Sequence, residues 1–373
     1  MIDAKLLFNI LKKNDVNFFA GVPDSILKNF SYVLDSDTTN ENHIICANEG
    51  LALSTACGYY LSSGKIPLVY LQNSGFGNLI NPLLSLAHNT LYSIPIIILM
   101  GHRGCSDFKD EPQHQKQGRV TEELLKLCDV YYEYLTNDTN KLSEQINALL
   151  YKAIHNKMPV CLLVKRNTLS NKIPNNLIKN KFSLGREFVI RKIVENLDTD
   201  DIVISSTGMI SRELSEIRSE RGEYPKDFLN VGAMGHASSI ALGISIQKSS
   251  RRVYCIDGDG SVLMHMGSLP INSQYASCNF KHIVLNNNSH DSVGSQPTIF
   301  NKVSLSSILK SCGYKILTSV DDNTSLDKRL YELKESKGPT FLEINVKNGS
   351  RSNLGRPADI GDNLRNFIKH VNS

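Results

Sequence analysis

The chain has 373 residues, 41% of them hydrophobic and 21% charged, and its 41 Lys and Arg against 37 Asp and Glu leave a formal charge of +4. That length suits two ordinary domains or one large α/β unit, and the composition is that of a soluble globular protein, not a disordered or fibrous one. The basic residues are dispersed and form no stripe, which argues against nucleic acid as a partner while permitting a small anionic substrate. No apolar run approaches the ~20 residues of a membrane span, so no membrane partner is expected. Met1-Ile2-Asp3-Ala4-Lys5 lacks the charged-then-apolar layout of a secretory signal, and a cytoplasmic location is the expectation. The eight cysteines include no Cys-x-x-Cys pair. Cys161 and Cys255 lie inside apolar runs and read as core residues, not disulfide partners.

In chain order, a helix is expected over Ala4 to Lys13, with Leu6, Leu7, Ile10 and Leu11 on one face. A strand from Val16 to Ala20 runs into Gly21-Val22-Pro23, and a helix follows from about Asp24. Next come a strand at His43 to Cys46, a helix at Gly50 to Ser62, and strands at Ile66 to Leu71, Ile94 to Met100 and Val160 to Val164. The stretch 168–184 is rich in Asn and Lys and reads as a linker. Beyond it, strands are expected at Ile202 to Ser205, Val253 to Ile256, His282 to Leu285, Tyr314 to Leu317 and Phe341 to Val346, again with helical segments between. Strand and helix in alternation imply parallel sheets flanked by helices. The expected organisation is therefore a first α/β domain at 1–167, the linker, and a second α/β domain at 185–373, suggesting duplication of an architecture.

Two clusters carry chemistry. Ala47-Asn48-Glu49-Gly50 follows a strand and opens a helix of small residues, so Glu49 sits at a strand's carboxyl end. It reads either as a first-turn acid interacting with the helix dipole or as an enclosed carboxylate with a raised pKa. In the second half, Asp257-Gly258-Asp259-Gly260-Ser261 precedes Asn286-Asn287 by 28 residues, counted from Asp259 to Asn287. Each group follows a short apolar run, and strand ends gather ligands in open α/β sheets. A carboxylate with an Asn carbonyl oxygen suits a hard cation such as Mg²⁺, leaving positions for phosphate oxygens and water.

These segments resemble the thiamin diphosphate (ThDP) enzymes. Further matches are Gln72-Asn73-Ser74-Gly75 in the first half and Val231-Gly232-Ala233-Met234-Gly235-His236 in the second. Gly21-Val22-Pro23-Asp24-Ser25, Gly101-His102-Arg103-Gly104, Asp110-Glu111-Pro112-Gln113-His114-Gln115, His290-Asp291-Ser292-Val293-Gly294 and Leu354-Gly355-Arg356-Pro357 narrow the resemblance to the phosphonopyruvate decarboxylase family. It implies a pyrimidine-binding and a diphosphate-binding domain with no middle domain. It further implies decarboxylation of 3-phosphonopyruvate to phosphonoacetaldehyde and CO₂ with ThDP and Mg²⁺, in 2-aminoethylphosphonate-type phosphonate biosynthesis. Sulfopyruvate decarboxylase is the nearest alternative. Asn288, and Ser295 in place of the more usual Gly, depart from the family pattern without removing a ligand.

By the same resemblance Glu49 activates the cofactor through its aminopyrimidine ring, while Asp24, His114 and His290 are candidates for proton transfer. Ser74, Gly232, Met234, Gly258, Asp259, Gly260, Ser261 and Asn287 are expected at the cofactor. Asp259, the Asn287 side chain and the Ser289 carbonyl are expected on the metal. For Met234 a core role is the competing reading, and for His114 a surface-loop histidine. Thr207-Gly208 reads either as a helix-start turn or as a further cofactor contact. Arg103, Arg351 and Arg356 are candidate contacts for the phosphonate dianion. The family also implies a homodimer or larger homo-oligomer with active sites at the subunit interface. Two rivals remain: a Rossmann-type oxidoreductase, disfavoured because no Gly-x-Gly-x-x-Gly opens a helix after the first strand, and a ThDP-fold protein without activity.

Overall fold

The computed structural model describes residues 1–108, 110–171, 180–355 and 359–373, and the chain divides into two compact units, Met1–Asn176 and Leu177–Ser373. Unit one holds a six-stranded parallel sheet. Its strands are β1 (Phe19–Gly21), β2 (His43–Ile45), β3 (Leu68–Gln72), β4 (Ile97–Gly101), β5 (Tyr131–Tyr134) and β6 (Val160–Val164), arranged β2-β1-β3-β4-β6-β5. Unit two holds β7 (Ile202–Ser205), β8 (Phe228–Leu229), β9 (Val253–Gly258), β10 (Phe280–Asn286), β11 (Lys315–Ile316) and β12 (Thr340–Asn345), arranged β8-β7-β9-β10-β12-β11. Counted along the chain, both sheets have the same order. The duplication expected from the alternating pattern is thus present as topology, without a repeated sequence.

The central strands are apolar on both faces, as parallel strands covered on two sides must be. In β4, Ile97 and Leu99 face a core shared with the helices α1 (Ala4–Lys13), α2 (Lys28–Asp37) and α6 (Leu142–Asn156), counting α3 (Glu49–Ser63), α4 (Phe76–Pro82) and α5 (Pro112–Leu127) between them. Ile98 and Met100 of the same strand face a second core with Ala52, Ala56 and Leu125 from α3 and α5. Each such fully buried aliphatic contributes roughly 1.5–3 kcal/mol by leaving water. Unit two repeats the plan. Ile283 and Leu285 of β10 pack beside Val189 and Leu214, whereas Val284 packs beside Ala241 and Leu305.

The alternation of elements holds and the bounds shift. The first strand is Phe19–Gly21, not Val16 to Ala20. The helix expected from Asp24 starts at Lys28, because the Asp24 carboxylate accepts hydrogen bonds from the Ile26 and Leu27 amides (3.0 and 3.1 Å) and holds a turn there. Tyr131–Tyr134, unread as a strand, pairs with Val160–Val164. Leu169–Ser170, within the stretch read as linker, pairs in parallel with Ile2–Asp3. All eight cysteines carry free thiols. No helix among the described residues is long and apolar enough to cross a membrane.

Candidate active site

In unit one the candidate residues gather at the carboxyl ends of β1 to β4. Asn48 caps α3, its side chain accepting from the Leu51 amide (3.0 Å), which places Glu49 as the first helical residue. Glu49 is only 4% exposed. Its Oε2 accepts from Asn78 Nδ2 (2.7 Å), and burial raises its carboxyl pKa against that stabilising bond. A side chain at position 75 is excluded, since a Cβ there would lie 1.9 Å from Glu49 Oε1. Gly75 is what lets the carboxylate lie flat on the neighbouring turn. Ser74 is exposed, and its hydroxyl accepts from Gln72 Nε2 (2.5 Å).

Asp24, Arg103, Asp110 and His114 form a second group in the same unit. Asp24 is fully buried, and burial pushes its pKa up to about 6 against its backbone hydrogen bonds and the nearby Arg103 charge. Its Oδ1 has no hydrogen-bond partner among the described residues. Arg103 donates from Nε to Asp110 Oδ2 (2.7 Å), from Nη2 to Asp110 Oδ1, and from Nη1 to Ser25 Oγ (3.0 Å). Burial alone would raise the Asp110 carboxyl, but this two-pronged grip outweighs it and holds the pKa at about 2. His114, in the first turn of α5, has a buried Nδ1 without a partner. Burial, with the Arg103 charge, lowers its pKa to about 4, so the ring is neutral at pH 7 and can accept a proton. Asn73 ties the ends of β3 and β4, its Nδ2 donating to the Arg103 carbonyl and to Thr121 Oγ1 (both 2.9 Å).

In unit two the ends of β9 and β10 lie side by side, with Gly258 in register with Leu285. Asp259 is 3% exposed and pairs with no basic side chain among the described residues; Oδ2 accepts from Thr298 Oγ1 (2.5 Å). Burial therefore drives its pKa up to about 7. Thr298 also donates its amide to the Asn288 carbonyl (3.1 Å), linking both segments. Asn287 Oδ1 accepts from the Ser289 amide (3.0 Å), and the Ser289 hydroxyl is buried without a partner. Asn288 (φ 56°) and Ser295 (φ 60°) both adopt the left-handed conformation, which explains why small residues suit these places.

A Cβ on Gly260 would lie 2.9 Å from His290 Cε1 and 3.5 Å from Met234 Cε, so these three residues converge. Burial lowers the His290 pKa to about 4. Ser261 acts as a strut: its Oγ accepts from Ser206 Oγ (2.9 Å) and from the Gly235 amide (3.0 Å). Gly232 is exposed, and its carbonyl accepts from the Met234 amide (2.9 Å). Gly208 caps α8 (Met209–Glu220), in keeping with the helix-start reading of Thr207-Gly208. Arg351 faces Glu187 and Glu216, and Arg356 lies outside the described residues.

Sequence reasoning overlooked Asn78, Thr298 and Asp291, three polar residues holding the expected ligands. Nothing in the sequence spacing assigns the Thr298 hydroxyl to a carboxylate 39 residues away.

Residues 3–124 match the N-terminal TPP binding domain of thiamine pyrophosphate enzymes, and residues 206–344 match their C-terminal TPP binding domain. The chain is 33% identical to a phosphonopyruvate decarboxylase of Streptomyces viridochromogenes, over 99% of this chain and 95% of that protein. It is 31% identical to the phosphonopyruvate decarboxylase of Streptomyces hygroscopicus, over 96% and 90%. With a sulfopyruvate decarboxylase of Methanosarcina acetivorans the identity is 26%, over 92% and 91%. The chain belongs to the phosphonopyruvate decarboxylase family of thiamine pyrophosphate enzymes.

Proposed function

We propose that this protein decarboxylates 3-phosphonopyruvate to phosphonoacetaldehyde and CO₂, using thiamin diphosphate and a divalent cation, Mg²⁺ being the natural choice. The setting is phosphonate biosynthesis of the 2-aminoethylphosphonate type. The substrate assignment is supported by the two phosphonopyruvate decarboxylases that align across nearly the whole chain.

One observation carries the chemistry: Asp259 is a buried carboxylate with no basic partner among the described residues, and its pKa has risen to about 7. Such a group needs either a proton or a cation. The Asp259 carboxylate, Asn287 Oδ1 and the Ser289 carbonyl are all oxygen donors, which fits a hard divalent ion shared with a diphosphate. Gly258, Gly260 and Ser261 would bring the backbone of the Asp259 turn to the diphosphate. Ser261 holds that turn against the loop carrying Gly232 and Met234. Met234 would give apolar support to the cofactor, and the Gly232 carbonyl would accept from its amino group.

Thiamin diphosphate, when bound, supplies the carbon nucleophile and the electron sink that the keto acid lacks. The chain's own part is proton management. Glu49, enclosed and with its carboxyl pKa raised by burial, would hold the hydrogen bond to a ring nitrogen of the aminopyrimidine. Ser74 lies on the adjacent turn. The aldehyde carbon needs one proton after CO₂ leaves. Asp24, with a pKa of about 6, can hold one, and the neutral rings of His114 in unit one and His290 in unit two are further candidates for handling it. A phosphonate dianion meeting Arg103 would compete with Asp110, and one meeting Arg351 would compete with Glu187 and Glu216. Arg356 completes the set of cationic candidates.

The assembly proposed is a homodimer or larger homo-oligomer. Its support is that the two sets of residues, for the ring and for the diphosphate, belong to separate folding units. A second reading, sulfopyruvate decarboxylation, is favoured by the 26% identity to an enzyme of that name. The test is CO₂ release by purified protein with thiamin diphosphate and Mg²⁺, offered phosphonopyruvate, sulfopyruvate and pyruvate in turn. Preference for phosphonopyruvate is expected. Faster release from sulfopyruvate would move the assignment to the second reading, and equal release from pyruvate would remove the anion-binding role of the arginines.

A further inference from the structure

Behind the proposed metal ligands lies a buried polar network with no part in the chemistry above. Asn287 Nδ2 donates to Asp291 Oδ2 (2.7 Å). The same carboxylate oxygen accepts from Arg186 Nη1 (2.9 Å) and from the Gly349 amide (2.9 Å). Arg186, the first residue of α7 (Arg186–Asn196), also grips Glu213 of α8 through Nε and Nη2, both at 2.9 Å. The three charged side chains are only 5%, 3% and 6% exposed for Arg186, Glu213 and Asp291. A few residues upstream, Asn180 Nδ2 donates to the backbone carbonyls of Asn287 (2.8 Å) and Val346 (3.0 Å). Asn287 is thus held at its main chain directly by Asn180 and at its side chain through Asp291, which Arg186 grips.

An Asn amide can turn end for end, exchanging its oxygen and nitrogen, and only its hydrogen bonds decide which end faces a ligand. The carboxylate of Asp291 accepts, so it selects the amide nitrogen, in agreement with the Ser289 amide that donates to the carbonyl oxygen at the other end (3.0 Å). Arg186, pinned by Glu213, holds the Asp291 carboxylate by a hydrogen bond and stops it from rotating away. Partners of this kind, one step behind a ligand, tune metal affinity by about 10- to 100-fold.

We propose that Arg186 and Asp291 are positioning residues for the metal ligand Asn287, and that Asn180 braces its main chain. The stretch from Asn180 to Arg186 is then part of the metal site as well as the entry to the second unit. This rests on the reading of Asp259 and Asn287 as metal ligands.

The test is Mn²⁺ binding in the presence of thiamin diphosphate, followed by the electron paramagnetic resonance signal of the free ion, which needs no turnover. Asp291→Ala and Arg186→Met are expected to raise the Mn²⁺ Kd at least about tenfold. Asp291→Asn should recover part of that loss, because its carbonyl oxygen still accepts from Asn287. Asp227→Asn is the control: it breaks an equally buried pair with Arg218, at the amino end of edge strand β8, and should change Kd less than about twofold. Unchanged Mn²⁺ affinity in folded Asp291→Ala and Arg186→Met overturns the proposal. Should Asp291→Ala fail to fold, Asp291→Asn and Arg186→Met decide in the same way. A wild-type protein that binds no Mn²⁺ overturns the metal-site reading and this proposal together, whereas tight wild-type binding matched by the variants overturns this proposal alone.

Discussion

The two units share a strand order and differ in the partner each gives to one acid beside equivalent strand ends. After β4 in unit one comes Arg103, which grips Asp110 and holds its pKa at about 2. After β10, the topologically equivalent strand of unit two, comes Asn287, and the adjacent Asp259 has no basic partner among the described residues and a pKa of about 7. At these strand ends the acid of unit one is paired with an arginine, whereas Asp259 of unit two pairs with no basic side chain among the described residues. Glu49 follows β2, and the Gly232-Met234 loop follows β8, again equivalent strands. A doubly wound sheet therefore fixes where functional groups emerge, while their charge is decided loop by loop.

The sharpest way to break this comparison is to alter one acid in each unit and look for crossed effects. Glu49→Gln is expected to lower kcat by about 10²–10⁴-fold, the usual worth of a positioned acid–base group, with Mn²⁺ affinity within about twofold of wild type. Steady-state kinetics and ion titration check the two halves separately. Asp259→Asn should do the reverse at the outset, losing Mn²⁺ binding by about 10²-fold or more, and activity with it.

Asp259→Asn also has a signature in the metal-free protein. A carboxyl whose folded pKa is raised binds its proton more tightly in the folded state, so stability falls as pH rises from about 4 through about 7. The neutral amide removes that loss. Thermal melts of the metal-free variant should therefore exceed wild type more at pH 8 than at pH 5. His114 and His290, lowered to about 4, act with the opposite sign, losing stability as pH falls from about 6.5 towards 4. The whole protein's profile mixes both, which is why the difference between variant and wild type is the useful quantity.

The smallest effect expected is at Ser295, a left-handed residue where glycine carries no Cβ penalty. Ser295→Gly should stabilise unit two by up to ~1 kcal/mol, less the extra chain entropy of glycine, without changing unit one. A chemical denaturation midpoint lower than wild type would show that the Ser295 side chain contributes more than its backbone strain costs.

Much of this was legible before any coordinates. Glu49 and Asp259 could be placed at strand ends because apolar runs and small-residue turns mark those ends within a few residues of chain. Tyr131–Tyr134 was missed because it is half-exposed and polar in pattern, and only its pairing with Val160–Val164 makes it a strand. The three arginines looked alike as loop cations. Only the fold shows that Arg103 is committed to Asp110, seven residues on, and Arg351 to Glu187, 164 residues away in sequence.

The amino-acid sequence by itself determined the two-part α/β architecture, the family and the residue types at each strand end, since periodicity and short motifs are local properties that a linear chain displays openly. Which acid would keep a proton, which would be paired, and which side chains would orient the ligands were decided by tertiary structure. Those outcomes depend on burial and on contacts between distant segments, and neither desolvation nor a hydrogen bond such as that from Asn180 to Asn287, 107 residues apart, is written in the order of the residues alone.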